Sequence, residues 1–141
     1  MRTNKTIMTN LATYRVNIAP LGFELDRILI PLKQTKSDKL WILAHDNPSE
    51  DKSGPYLEKI KKECKKLDVE VKVAYSDRLS LFKTIKSIKD IISQEKGNYI
   101  FVNVASGSKI QSIAAMMACS LSKSSDNLQP FYPEAESYAA F

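Results

Sequence analysis

The stretch from Tyr99 to Met117 constrains the fold of this chain more than any other. It opens with an apolar run, Tyr99 to Ala105, typical of a strand buried on both faces of a parallel sheet. The polar turn Ser106-Gly107-Ser108-Lys109 follows, and the next apolar residues recur at the spacing of one helix face: Ile110, Ile113, Ala114, Met117 and Leu121. The stretch therefore predicts a strand, a glycine turn and a helix. The helix N-terminus presents unpaired N–H groups that suit a phosphate or another anion.

The turn does not match the two common nucleotide-binding loops. A Walker A loop needs a glycine five residues before its Gly-Lys pair and a Ser or Thr after the lysine. Here Lys109 follows Ser108 and precedes Ile110. The chain has only 4 glycines and no G-x-G-x-x-G, so the dinucleotide-binding fingerprint is absent as well. An ordinary NTPase or dehydrogenase is not indicated.

Length and composition indicate a single globular domain. The chain has 141 residues, of which 43% are hydrophobic and 26% charged, the balance of a folded domain. Residues 1–13 are polar and are interpreted as a leader, followed by one domain over residues 14–141. The leader holds no apolar signal segment and no run is long enough to span a bilayer, so we expect a cytoplasmic protein without membrane contact.

The cysteines and the histidine do not suggest a metal or redox site. Cys64 and Cys119 lie in predicted helices without a second ligand at suitable spacing, and both are interpreted as packing residues. His45 follows the apolar run Leu40 to Ala44, at a strand end where α/β proteins keep functional loops. A triad or metal site needs partners that the sequence does not show. We therefore predict no metal and no cofactor.

The net charge of +5 favours anionic partners only loosely. Much of this charge lies on one predicted helix, where lysines alternate with Glu58 and Glu63 in the pattern of a solvated face. A DNA-binding module is the competing interpretation, but no helix-turn-helix or base-reading motif supports it.

The order of the remaining patterns predicts an α/β fold. Strands are predicted at 14–19, 39–44, 69–75 and 99–105, with a fifth short strand at 129–132. The helices between them are marked by three apolar sets: Phe23, Leu25, Ile28, Leu29 and Leu32; Leu57, Ile60, Cys64 and Leu67; and Leu81, Phe82, Ile85, Ile88 and Ile92. Alternation with charged residues places the third strand at an edge, and two prolines confine the fifth to the other. The predicted fold is a Rossmann-like, doubly wound, mostly parallel sheet of about five strands with helices on both faces.

The first and fourth strands carry the features that locate a site. In the common order 3-2-1-4-5 these strands are neighbours, and ligands bind at their carboxyl ends. Each strand has an asparagine, Asn17 or Asn103, and each runs into a glycine turn, at Gly22 or Gly107. A buried asparagine needs hydrogen-bond partners, so each either contacts a ligand or braces its loop.

Two segments together resemble a known family. They are Ile18-Ala19-Pro20-Leu21-Gly22-Phe23-Glu24-Leu25-Asp26-Arg27 and Asn103-Val104-Ala105-Ser106-Gly107-Ser108-Lys109-Ile110-Gln111-Ser112-Ile113-Ala114-Ala115. In this order and at this separation they resemble the CARF domain, the CRISPR-associated Rossmann fold. The resemblance is closest to the N-terminal domain of archaeal CARF–winged-helix transcriptional regulators, and it spans roughly residues 14 to 138.

The resemblance implies a homodimer whose two clefts merge into one pocket for a cyclic oligoadenylate, the second messenger of type III CRISPR defence. A two-fold ring suits such an isologous dimer. Asn17 or Asn103 would read adenine edges or ribose hydroxyls, and Asp26 with Arg27 would form an ion pair that fixes the first loop. By position, the residues that line the pocket are Ala19, Pro20, Leu21, Gly22, Phe23, Ser106, Gly107, Ser108 and Lys109.

Three functions stay open for such a domain. The first is a non-catalytic sensor that regulates transcription through a DNA-binding partner or a missing winged-helix domain. The second is a metal-independent ring nuclease, in which Lys109 with Ser106 or Ser108 stabilises the developing charge. The third is a Rossmann-like domain for another nucleotide. Many relatives have an extra glycine in the turn, so the ring size of the ligand is left open.

The predicted helix after the turn offers small residues that suit either close packing on the sheet or a dimer contact. These are Ala114, Ala115, Ala118 and Ser122. Exposure of Met116 or Cys119 on the same helix would favour the dimer contact.

Overall fold

A computed structural model describes residues 13–47, 54–122 and 127–133 as a parallel sheet covered by helices. The predicted leader, apart from Thr13, and the predicted domain beyond residue 133 lie outside the described residues. In chain order the elements are β1 (Arg15–Pro20), α1 (Asp26–Gln34), β2 (Lys39–His45), α2 (Pro55–Lys66), β3 (Glu70–Ser76), α3 (Leu81–Gln94), β4 (Tyr99–Asn103), α4 (Lys109–Leu121) and β5 (Leu128–Phe131).

The five strands have the order β3-β2-β1-β4-β5, and all four neighbouring pairs are parallel. The predicted doubly wound α/β fold and its two edge strands are therefore confirmed. In the central pair, Val16 is in register with Ile100 and Ile18 with Val102. Strand order reverses between β1 and β4, so their carboxyl ends form the switch point that the fold uses for ligands.

The core has two layers because successive strand residues face opposite sides of the sheet. Val16 and Ile18 of β1 pack with α3 and α4, whereas Ala19 packs with α1 and α2. β2 divides in the same way, with Trp41 and Leu43 in the first layer and Leu40, Ile42 and Ala44 in the second. Burial on both faces explains why β2 and β4 are nearly continuous apolar runs.

Helix α4 packs through only part of the predicted face. That face holds Ile110, Ile113, Ala114, Met117 and Leu121; Ala114 is buried as predicted, but the four larger residues are 37%, 54%, 37% and 56% exposed. The buried residues of the helix are Gln111, Ala114, Ala115 and Ala118. Small side chains let the helix axis approach the sheet closely, and the larger apolar side chains are left outside.

Two other predicted core residues are also misplaced. Phe23 lies ahead of α1 and is 59% exposed, while Phe82, in the first turn of α3, is 76% exposed. Leu25 precedes the first residue of α1, whereas Pro31 lies within that helix.

None of the helices in the described ranges combines the length and apolarity that a membrane crossing needs.

Candidate ligand-binding site

The loops that follow β1 and β4 pack directly against each other. A Cβ at Gly22 would overlap the carbonyl oxygen of Ser106, and a Cβ at Gly107 would lie 2.6 Å from the Pro20 Cβ. The Ser106 hydroxyl also donates a hydrogen bond to the Pro20 carbonyl, at 2.7 Å. Gly22 is therefore required by close approach to the Ser106 backbone, and Gly107 by close approach to the Pro20 ring and the Gln111 side chain. The two predicted loop motifs meet at the carboxyl edge of the sheet.

Asn103 braces this junction from beneath. Its side-chain nitrogen donates to the carbonyl oxygen of Arg27 at 2.8 Å, and its side-chain oxygen accepts from the Ala105 amide at 2.9 Å. The residue is only 1% exposed. One amide group thereby joins β4, the second loop and the first turn of α1.

Asn17 lies apart from the two loops. It is buried in the middle of β1, in register with Leu40 and Phe101, and its side chain donates to the Thr35 hydroxyl at 2.8 Å. Thr35 caps the C-terminus of α1, which runs back from the carboxyl edge. The fold thus separates Asn17 from the other predicted site residues.

The second loop ends in a capped helix with open amides. The Ser108 hydroxyl accepts from the Gln111 amide at 3.2 Å, while the Gln111 side chain accepts from the Ser108 amide at 2.9 Å. This capping box holds the first turn of α4 in place and leaves the amides of Lys109 and Ile110 without intrahelical acceptors. They lie at the positive end of the helix dipole.

Lys109 is the exposed cation of this turn. It is the first residue of α4, and no carboxylate in the described parts of the chain lies within ion-pair distance of it. A lysine at a helix N-terminus is not favoured by the helix dipole, so its presence there needs another reason. An anion that binds the amides of the turn supplies one.

The predicted binding residues differ sharply in accessibility. Most of the predicted set is buried, and Gly107 and Ser108 are partly exposed; Phe23 and Lys109 alone in the set are exposed. Ala19 and Leu21, for example, are 1% and 5% exposed and belong to the core beneath α1 and α2. A ligand approaching a single chain would therefore meet chiefly Phe23, Lys109 and the turn between them.

Arg27 is fixed by other partners than the predicted one. Its Nε lies 3.1 Å from a Glu24 carboxylate oxygen, so the ion pair is with Glu24 rather than with Asp26. Its guanidinium also lies over the ring of Tyr132, 5.9 Å from the centroid. A hydrogen bond to Tyr132 raises the pKa of Arg27, and desolvation opposes this shift only in part. Arg27 ties the first loop to the chain after β5.

The structure also brings together a His–Asp group that the sequence did not suggest. Nitrogen or oxygen atoms of His45, Asp46 and Asp77 lie within 4.8 Å of one another, at the carboxyl ends of β2 and β3. The buried His45 Nδ1 is 3.2 Å from the Arg78 amide and 3.3 Å from the Ser76 carbonyl oxygen. These contacts engage the histidine in holding the turn after β3.

The cysteines are placed as predicted for packing residues. Cys64, a residue of α2, is fully buried, and burial, with a smaller contribution from Glu63, raises the pKa of its thiol to about 11. Burial likewise raises the pKa of Cys119 to about 11. Neither thiol is ionised near neutral pH, so neither has the thiolate character of a reactive cysteine.

A groove of about 320 Å³ lies away from this junction. It is bordered by Lys61, Lys65 and the start of β3, at the opposite edge of the sheet from the two loops. Its polar residues carry both signs of charge, and none of them belongs to the predicted site.

Comparison with known proteins places the chain in a family. The family model described as "HFX_2341_N:-like, N-terminal" matches residues 15–138, and the chain belongs to this family. A curated relative is the uncharacterized protein MJ1513 of Methanocaldococcus jannaschii, which is 28% identical over 124 residues. The alignment covers 83% of this chain and 37% of MJ1513, so the chain corresponds to little more than a third of that relative.

Three solved structures share the fold. Can2 of Sulfobacillus thermosulfidooxidans, solved with cyclic tetra-adenylate, has a TM-score of 0.70 at 18% identity, over 88% of this chain and 33% of Can2. A type III CRISPR defence DNA nuclease activated by cyclic oligoadenylate has a TM-score of 0.68 at 12% identity, over 86% of this chain and 19% of the nuclease. Enterococcus italicus Csm6, bound to cyclic hexa-2′-fluoro-hexa-dAMP, has a TM-score of 0.64 at 10% identity, over 90% of this chain and 35% of Csm6.

These neighbours are CARF-domain proteins, so the fold that the sequence resemblance predicted is confirmed. The particular likeness to archaeal transcriptional regulators stays a prediction. Sequence reasoning missed two partners of Arg27, namely Glu24 and Tyr132. The i,i+3 spacing of Glu24 and Arg27 is a signal that could have found the first partner, whereas the long sequence separation of Tyr132 carries no such signal.

Proposed function

We propose that this chain is a sensor domain that binds a cyclic oligoadenylate at the carboxyl edge of β1 and β4. The observation that carries the proposal is the exposed Lys109 on a capped helix N-terminus, beside a loop junction that two glycines make possible. Backbone amides and one lysine suit a phosphodiester, which is singly charged and rich in acceptor oxygens. The three solved neighbours, each described with such a ligand or activator, support the choice of ligand class.

The sensor is proposed to act as a homodimer that joins through the outward face of α4. Ile113, Met116 and Leu121 are 54%, 46% and 56% exposed on this helix, although large apolar side chains are usually buried. An exposed apolar stripe of this kind indicates an interface. Because α4 begins at Lys109, a two-fold contact in which the two copies of α4 run in the same direction would bring two anion sites together around one symmetric ring.

The proposed output is control of transcription through a DNA-binding unit, either a separate partner or a winged-helix domain. The length of MJ1513 supports this arrangement, because the similar segment makes up only 37% of that protein. Ligand-dependent binding of duplex DNA by the chain together with such a unit would test this step.

Sensing is proposed ahead of ring cleavage because the serines of the turn are engaged. The Ser106 hydroxyl is bonded to the Pro20 carbonyl, and the Ser108 hydroxyl caps α4. Lys109 is the remaining group that could stabilise the developing charge of a cleavage reaction. Incubation with cyclic tetra-adenylate, followed by chromatography, distinguishes the two functions, since a nuclease releases linear products.

Isothermal titration with cyclic tetra-adenylate, with the molar mass measured by light scattering, tests the proposal. We expect a dimer that saturates at one ring per two chains. The variant Ile113→Glu should be monomeric and should bind the ring more weakly, whereas Tyr75→Glu, on the edge strand β3, should leave both properties unchanged. A monomeric wild-type chain that binds no ring would overturn the proposal.

A further inference from the structure

An aromatic pair, the exposed Phe23 and the partly exposed Tyr56, lies beside the loop junction. The rings of Phe23 and Tyr56 are 5.7 Å apart between centroids and nearly perpendicular, with an interplanar angle of 87°. Phe23 follows Gly22, the residue that touches the Ser106 carbonyl, and Tyr56 belongs to the first turn of α2. Both residues therefore follow the carboxyl ends of strands, as Lys109 does.

The pair is completed by a second exposed lysine. The Lys59 ammonium lies 5.5 Å from the centroid of the Tyr56 ring, one helical turn further along α2. A cation over an aromatic face is stabilised by the quadrupole of the ring. The carboxyl edge thus presents an aromatic surface with a positive charge next to it.

Packing explains this arrangement only in part. An edge-to-face aromatic contact adds to the stability gained from area burial, and it fixes the first loop against α2. An aliphatic residue at position 23 would keep the area burial but would lose the aromatic contribution. Phe23 nevertheless keeps 59% of its surface exposed and lies outside both core clusters.

We propose that Phe23 and Tyr56 form a base-stacking subsite that accepts an adenine of the ring, with Lys59 facing a neighbouring phosphate. This subsite rests on the proposed function and adds Tyr56 and Lys59 to the binding surface. A purine offers a flat π face, and stacking on an aromatic side chain stabilises the bound base. Lys109 and the amides of the turn hold a phosphate, and the aromatic pair receives the base attached next to it.

The test compares Phe23→Leu and Tyr56→Leu with wild type in titrations with cyclic tetra-adenylate. Leucine keeps an apolar contact but removes the stacking face, so the affinity should fall about tenfold for each variant. Tyr56→Phe keeps the ring and should bind as wild type does. Tyr75→Leu, which removes an exposed aromatic side chain from β3, is the matched control and should also bind normally.

A second readout separates stacking from a purely structural role. In a ring that carries one 2-aminopurine, fluorescence should be quenched on binding to wild type, and Phe23→Leu should lose this quenching even at saturating protein. Lys59→Gln should weaken binding by about threefold while the quenching persists. Thermal melting of each variant within a few degrees of wild type establishes that the fold is intact.

The outcomes separate the two proposals. If wild type binds the ring but Phe23→Leu and Tyr56→Leu bind it equally well with full quenching, the subsite is overturned and the sensor function stands. If wild type binds no ring, the sensor function is overturned together with the subsite.

Discussion

Polar side chains lie both at the amino edge of the sheet, where the strands begin, and at the carboxyl edge, where they end. Their roles at the two edges are opposite. At the amino edge, the Glu95 carboxylate accepts from Trp41 Nε1 at 2.8 Å, from Lys39 Nζ at 3.0 Å and from the Asn98 side chain at 2.9 Å. Glu95 is 4% exposed, so the carboxylate at the centre of this network is shielded from solvent. At the carboxyl edge, Lys109 is exposed and the first amides of α4 lack intrahelical acceptors.

This difference distinguishes polar residues that stabilise the fold from those available to a ligand. A buried carboxylate with three donors satisfies its hydrogen bonds within the chain, and its removal leaves those donors unpaired. An exposed lysine beside open amides contributes little to folding and is free to bind an anion. Substitutions at the amino edge should therefore change stability, and substitutions at the carboxyl edge should change affinity.

The largest effect is expected for Glu95→Ala. Removal of the carboxylate leaves the Trp41 indole and the Lys39 ammonium without their buried acceptor, so the free energy of unfolding should fall by about 3 kcal/mol or more. Urea denaturation measures the change. The control Glu63→Ala removes an exposed carboxylate that pairs with Lys66, and should cost less than about 0.5 kcal/mol. Equal unfolding midpoints for the two variants would contradict the distinction between a closed and an open edge.

Lys109→Ala should produce the reverse pattern. Loss of a charge-assisted contact of about 1.5–3 kcal/mol should weaken binding of cyclic tetra-adenylate by at least tenfold, while the unfolding free energy changes by about 0.5 kcal/mol or less. Calorimetric titration and urea denaturation measure the two quantities. Lys66→Ala, an exposed lysine in the last turn of α2, is the control and should retain full affinity. If the two lysine variants bind alike, Lys109 is not the anion-binding cation.

Smaller effects on stability and binding are expected for two serine residues that cap helix N-termini. Ser108 caps α4 and Ser80 caps α3, each accepting from a backbone amide at 3.2 Å. Replacement of either serine by alanine should lower the unfolding free energy by about 1 kcal/mol. Ser108→Ala should also weaken ring binding a few-fold because it loosens the amides of the turn, whereas Ser80→Ala should not. Identical affinities for both variants would show that the cap does not prepare the site.

The smallest expected effect is on the acid sensitivity of the fold. Burial by itself would raise the pKa of Glu95, but the hydrogen bonds from Trp41, Lys39 and Asn98 outweigh it and hold the pKa below its ordinary value of 4.5. A lowered pKa in the folded state stabilises the protein above the ordinary value, and this contribution disappears as the pH falls through the folded-state pKa. Between pH 7 and pH 3, wild type should thus lose more stability than Glu95→Gln. An equal loss in the two proteins would indicate that Glu95 titrates as it does in the unfolded chain.

The sequence predicted the sheet better than it predicted helix packing. Burial on both faces makes the central strands apolar throughout, and prolines and charges mark the edges, so the strand order followed. Helix α4 is apolar on two adjacent faces, and periodicity alone does not tell which one meets the sheet. The alanine-rich face packs on the sheet because small side chains permit a closer approach of the helix to the sheet, and Ile113 and Leu121 are left outside the core.

The candidate site was likewise only partly predictable from the sequence. The two glycine loops could be predicted to meet because parallel strands that are neighbours end at the same edge. The contact of Arg27 with Tyr132 and that of Phe23 with Tyr56 depend on side-chain directions that a sequence pattern does not encode. Asn17 and Asn103 looked alike in sequence, yet one is braced in mid-strand by Thr35 and the other lies beneath the loops.

An amide-resolved NMR titration of the ¹⁵N-labelled chain with cyclic tetra-adenylate tests the central claim most directly, because it reports on both edges at once. We predict that the largest shifts occur at the amides of Gly22, Phe23 and residues 107–110, while those of residues 95–98 remain unchanged. Shifts centred on residues 95–98, or no shifts at any amide, would contradict the assignment of the carboxyl edge as the ligand-binding site.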